Sequence, residues 1–265
     1  GSMDDLDAAE LDEFIGFNEK YYNPNNAVLV VTGDINIEET KSLILDYFGT
    51  IENNAGPNVK LDIEEPAIDE TRYATEYDTN IQIPAYIFSY ITPKSVEKDA
   101  YTLDYISSIL TGGNSSRMYK RMVDKDKVAL QVLAFNQANQ DYGTYTMGAI
   151  IKGEPDWDIL KSTMDEEIKK LQTELISEKE YQKLQNQFET NYVQANSTVE
   201  GIASSLAKYY MLQGDTNRIN KQLDIYRTIT KEDIKRVANT YLNPNQRVEI
   251  KYLSGTEPVK DTTKQ

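Results

Sequence analysis

Tyr21-Tyr22-Asn23-Pro24-Asn25-Asn26-Ala27-Val28-Leu29-Val30 is echoed 220 residues later by Tyr241-Leu242-Asn243-Pro244-Asn245-Gln246-Arg247-Val248-Glu249-Ile250. Ahead of the first copy Phe14, Phe17 and Tyr21 are spaced i, i+3, i+7; ahead of the second Ile234, Val237 and Tyr241 keep that spacing and register. Each set lays one apolar stripe on a helix. Asp7 with Glu10, and Thr230 with Asp233, predict N-caps with an acidic residue three positions on. Pro24 and Pro244 stop each helix and drive the preceding asparagine into extended geometry, and the Val-rich runs that follow predict strands, the first over Val28 to Val31. A unit of helix, Asn-Pro-Asn and strand repeated at this distance predicts two related domains, the first present only as its last piece. Asn-Pro-Asn is also a common helix-to-strand turn, so on these residues alone duplication and coincidence both stand.

The composition narrows the function. With 28 Lys and Arg against 43 Asp and Glu the formal charge is −15, which argues against nucleic acid as a partner because phosphate binding needs clustered cations. No apolar run approaches the roughly 18 residues that suggest a membrane span. There is no cysteine and no histidine. Disulfides, a Ser-His-Asp triad, a Cys-His pair and a histidine-ligated zinc site are therefore outside this chain's means. Gly1-Ser2-Met3 reads as a cloning remnant, and the pattern starts abruptly at Asp4-Asp5-Leu6, so native N-terminal residues are expected upstream. The compartment is not encoded here, and an exported or periplasmic parent is compatible with these residues.

Along the chain, residues 1–51 read as helix, strand and helix; residues 52–70, with Gly56, Pro57 and Pro66, read as an interdomain connection; residues 254–265 read as a polar tail. Residues 71–253 read as a complete second domain. Strands are expected over Thr71 to Asp78 and Ala85 to Ile91, with Pro84 favouring an edge or a bulge. A helix from Lys98 carries Ala100, Leu103, Ile106 and Leu110 on one face. Val128 to Asn136 and Thr144 to Lys152 predict a strand pair, and helices follow over Trp157 to Glu174, from the Ser177/Glu180 capping box, over Thr198 to Gln213 and over Arg218 to Thr228. The fold class is α+β, a mixed or antiparallel sheet with helices packed on one face, preceded by the truncated end of a homologous α+β domain.

Thr111-Gly112-Gly113-Asn114-Ser115-Ser116-Arg117-Met118-Tyr119 is the most distinctive local motif. Ser115 or Ser116 is expected to cap a short helix reaching Met122. A Gly-Gly turn entering a helix can present N–H groups to an anion; the Lys-Ser or Lys-Thr of a P-loop is missing. The alternative is a tight helix-to-helix corner in which glycine permits positive φ and close approach, and such corners are far more common. Gly112, Gly113, Ser115, Ser116, Arg117 and Tyr119 are thus read as a structural motif, and no acid, base and nucleophile assemble elsewhere in the sequence.

Taken in order, Tyr21 to Asp34, Tyr47-Phe48-Gly49, Leu110 to Tyr119 and the terminal helix with Tyr241-Leu242-Asn243-Pro244 resemble the insulinase and mitochondrial-processing-peptidase superfamily of zinc peptidases, in particular its bacterial members. The resemblance covers nearly all of residues 5 to 253. It implies homologous α+β domains paired in each half-molecule, with two halves closing around an unfolded peptide. In active members an inverted His-x-x-Glu-His helix and a further Glu ligand bind zinc, and both lie N-terminal to the Tyr-Asn-Pro-Asn segment. The resemblance therefore implies no cofactor in this chain, zinc in the parent protein, and a missing N-terminal catalytic segment and a second half or partner subunit as partners. The family's substrate-clamping arginine and tyrosine align with Val123 and Leu130, so this chain departs from the clamping half and is more similar to the second domain of the zinc-bearing half. The alternatives are a non-catalytic pairing or scaffold subunit of the same superfamily and, remotely, a small anion-binding module.

Overall fold

The computed structural model describes residues 2–53 and 64–256. Parts of the expected connection and tail, residues 54–63 and 257–265, lie outside the described residues. The chain divides into two compact units, one within residues 1–62 and 191–221 and the other within 63–190 and 222–265.

The first unit holds α1 (Met3–Ala8), α2 (Leu11–Tyr21), α3 (Ile37–Phe48) and α7 (Val199–Gln213). The cap of α2 is not Asp7 with Glu10, as the sequence suggests. Asp7 belongs to α1, which Ser2 caps, and a Glu10/Glu13 capping box opens α2. A short helix from residue 3 takes up Asp7 and moves the box three residues on. The Asn-Pro-Asn turn then forms as an Asx turn: Asn23 Oδ1 accepts from the Asn25 N–H at 3.1 Å, and the Asn26 N–H donates to the Asn23 carbonyl at 3.0 Å. Residues 28–31 carry no strand ladder, contrary to expectation. Their side chains still alternate, Val28 and Val30 half-buried and Leu29 and Val31 exposed. That is the burial rhythm of a strand, here without a ladder partner among the described residues. α1, α2 and α3 contain no buried residue.

The second unit is built on a five-stranded mixed sheet of β1 (Arg72–Asp78), β2 (Ala85–Thr92), β3 (Ala129–Ala138), β4 (Gly143–Ile151) and β5 (Val248–Ser254), in the order β1-β5-β2-β4-β3. The last strand inserts beside the first in parallel; every other pairing is antiparallel. Pro84, expected at an edge or bulge, instead stands just before the interior strand β2. Outside the ladder its missing N–H costs nothing, and its carbonyl accepts from the Ile151 N–H at 2.9 Å. α4 (Lys98–Thr111), α5 (Trp157–Thr173) and α9 (Lys231–Tyr241) pack on one face, joined by α6 (Glu178–Ala195) and α8 (Arg218–Arg227), which begin or end in this unit. The expected stripe is buried: Leu103, Ile106 and Leu110 belong to one core cluster with Phe88, Tyr90 and Met147, and Ala100 is buried at the start of the helix.

The second Asn-Pro-Asn turn repeats these two bonds of the first. Asn243 Oδ1 accepts from the Asn245 N–H at 3.0 Å, and the Gln246 N–H donates to the Asn243 carbonyl at 3.0 Å. The Thr230/Asp233 capping box forms as expected. The two stripes, however, have opposite fates. Ile234 and Val237 are 1% and 0% exposed, whereas Phe14 and Phe17 of the first copy are 56% and 57% exposed. One local design is completed by a sheet in the second unit and is left bare in the first.

Candidate functional site

The Gly112-Gly113 motif is the corner leaving α4. Gly112 ends the helix, and a Cβ there would meet the Ser108 carbonyl oxygen at 2.4 Å; Gly113 takes φ 85°. Neither serine makes the expected side-chain cap. Ser115 Oγ accepts from Lys183 Nζ at 2.7 Å, and the buried Ser116 Oγ has no hydrogen-bond partner. The reason lies in the next turn. Residues Tyr119–Lys125 wind as a π-helix, which the Asp126 N–H closes onto the Arg121 carbonyl at 2.9 Å, and the chain leaves through Lys127 in the left-handed region at φ 55°. Arg117 forks onto Glu180 at 3.0 and 3.1 Å, and Glu180 also accepts from the Ser177 N–H. Burial raises the Glu180 pKa, but the Arg117 and Ser177 bonds outweigh it and hold the carboxyl below its ordinary value. The guanidinium that an anion would need is thus engaged. Tyr119 and Val123 pack half-buried against the core, and Leu130 is exposed on β3, so the motif and the two clamp positions do not converge on one site.

A different surface emerges from the sheet. Strand side chains alternate between faces, and on the helix-covered side Tyr86, Phe88 and Tyr90 of β2 are buried. Their neighbours Ala85, Ile87, Ser89 and Ile91 point to the other side and stay half-exposed. The register aligns Ala74, Ile250, Ile87, Gly148 and Leu133 in one row crossing all five strands. Not one outward position of β2, β3, β4 or β5 carries a charge, while the edge strand β1 presents Arg72, Glu76 and Asp78 on that side. Asp78 accepts from the Tyr252 hydroxyl at 2.7 Å.

The charges of β5 have gone inward instead. Arg247, fully buried, forks onto Asp165 of α5, donates to Glu249 at 2.7 Å and to the Tyr90 hydroxyl at 3.0 Å, and stacks 3.7 Å above the Phe88 ring. Glu249 also accepts from the Tyr86 hydroxyl at 2.6 Å and from Lys161 at 2.8 Å. Burial pushes the Glu249 carboxyl up, and the bonds from Lys161, Tyr86 and Arg247 more than reverse that, leaving its pKa lowered. Desolvation pushes the Tyr86 and Tyr90 hydroxyls well above their ordinary range, so both remain donors. The network neutralises every charge within it and has no group free for acid–base chemistry. Among the described residues no three His, Cys, Asp or Glu side chains gather as a metal site, and the sequence has no histidine, so the residues present do not fit zinc.

A family profile described as the peptidase M16 inactive domain matches residues 8–188. The chain belongs to the peptidase M16 inactive-domain family. This agrees with the superfamily resemblance read from the motifs, and the mixed sheet with its helices is the fold expected for it. Among relatives of this M16 chain, the zinc protease PqqE of Helicobacter pylori is 26% identical over 257 residues, covering 94% of this chain and 56% of that protein. The crystal structure of a protease from Helicobacter pylori superposes with a TM-score of 0.88 at 24% identity, over 96% of this chain and 61% of that one. The peptidase M16 inactive domain from Pseudomonas fluorescens gives 0.79 at 16% identity, over 94% and 58%. The M16 chain thus spans little more than half the length of the curated relatives it matches.

Proposed function

We propose that this chain is the non-catalytic part of a bacterial zinc metalloendopeptidase, forming one wall of a chamber for unfolded peptide and bracing the catalytic segment. The observation that carries the reading is the pair of Asn-Pro-Asn units with the same Asx turn and opposite burial. The second closes an intact domain. The first offers the bare Phe14 and Phe17 stripe to the rest of a domain that the longer relatives have room to supply. Hydrolysis would be carried out by zinc-bound water on residues outside this chain. Within the chain the half-exposed sheet face meets substrate, and the Gly112-Gly113 corner with the Arg117–Glu180 pair is scaffolding.

The test exploits the absence of cysteine. Ile87→Cys on the sheet face and Ser162→Cys on α5, each carrying a photocrosslinker, are challenged with an unfolded peptide. Peptide adducts are expected at position 87 in clear excess over position 162. Equal labelling at the two positions contradicts the assignment of the sheet face.

A further inference from the structure

We infer that the sheet face of the second unit selects an uncharged, aliphatic, extended peptide segment and not a basic one, despite the chain's charge of −15. The inference rests on the chamber-wall reading and adds the chemical class of what the wall accepts.

The polarity of β5 is inverted. Arg247 and Glu249 face the helices, where burying charge is costly unless every group is paired, while Val248 and Ile250 face outward and stay half-exposed. A strand that had only to cover a core would be phased the other way, with valine and isoleucine inside. The inward ionic cluster fixes the phase that places the aliphatic residues outside, so the outward row has a use beyond folding.

The shape of that row suits one kind of occupant. Ala74, Ile250, Ile87, Gly148 and Leu133 run across five strands, about 19 Å at roughly 4.8 Å per strand, which an extended chain spans in about six residues. Gly148, buried beside the Ile87 side chain, adds no bulk between Ile87 and Leu133, and Ala74 leaves the β1 end shallow. The row offers a peptide shape and apolar contact and no counter-charge. A lysine or arginine laid over it would lose hydration with nothing to pair with, whereas an aliphatic side chain would gain by burial. Glu76 and Asp78 lie on the edge strand, at the end of the surface rather than on the row. Apart from Glu76 and Asp78 at the β1 end, the acidic excess lies off this surface, and long-range steering by net charge does not decide what the central row retains.

The experiment measures binding of two labelled peptides of about a dozen residues to the full chain by fluorescence anisotropy. One is uncharged, built from Val, Leu, Ser and a single Pro; in the other half of the aliphatic positions are lysine. The uncharged peptide is expected to bind about fivefold or more tightly, equally at low and high salt. Ile250→Lys is expected to abolish that preference and Ile250→Thr to weaken it, each with an unchanged circular dichroism spectrum. Crosslinking at Ile87→Cys by both peptides with equal or greater affinity for the basic one overturns the inference while the chamber-wall reading survives. No crosslinking by either peptide overturns both. A concentration-dependent dimer that Ile250→Lys disrupts also overturns the inference, because the row is then a self-interface.

Discussion

Glu249→Leu is expected to destabilise the sheet unit by about 3–5 kcal/mol, the cost of leaving a buried charge without its partner. Arg247 is fully buried and depends on Glu249 and Asp165 for neutralisation. Removing Glu249 leaves the guanidinium only its Asp165 fork and the Tyr90 hydroxyl, with one buried positive charge in excess, and takes the shared acceptor from Lys161 and the Tyr86 hydroxyl as well. Replacing the set together, Arg247→Met with Asp165→Leu and Glu249→Leu, is expected to restore part of the loss, because no guanidinium is then buried short of a counter-charge, while the Tyr86 and Tyr90 hydroxyls still lose their partners. Urea unfolding followed by circular dichroism at both single and triple variants checks this. A loss below about 1 kcal/mol for Glu249→Leu, the range of a surface pair, would show that the network is dispensable. The pH dependence has a definite sign. A lowered carboxylate pKa contributes stability that is present above the ordinary value and lost as pH falls below it, so the second unit should weaken on acidification from about pH 4.5 downward, and the triple variant should not share that weakening at this site.

Gly148→Val is the second large effect, a loss of about 2–4 kcal/mol, at or above the usual cost of overpacking. A Cβ at position 148 would lie 2.5 Å from the Tyr86 carbonyl oxygen and 3.2 Å from the Ile87 Cα. Both are backbone atoms of a central strand, so relief requires β2 and β4 to separate. Thermal unfolding against wild type reads the loss. A variant that melts with wild type would mean that the close strand approach is not kept in solution.

The elements most legible in the sequence were those whose causes are local. The Thr230/Asp233 and Ser177/Glu180 boxes and the α4 stripe are settled within a few residues, and each forms. The strand expected at Val28 to Val31 failed for a physical reason: a strand exists only as part of a ladder, and no described neighbour pairs with it. The Ser115/Ser116 cap did not form: Ser115 is drawn to Lys183, and the short helix turns to π winding from Tyr119, which no side-chain pattern announces. The outward row was invisible for another reason. Its five residues come from distant parts of the chain, and Arg247-Val248-Glu249-Ile250 reads equally well in either phase. Only the Asp165 and Lys161 partners on α5 decide which face turns in.

The central claim, that this chain holds the wall and not the chemistry, is tested most directly by zinc stoichiometry and peptidase activity together. The purified chain is equilibrated with zinc, desalted, analysed for metal and incubated with a quenched unfolded peptide. The account predicts far less than one zinc per chain and no cleavage beyond the buffer rate. One bound zinc per chain with cleavage that a chelator stops would contradict it.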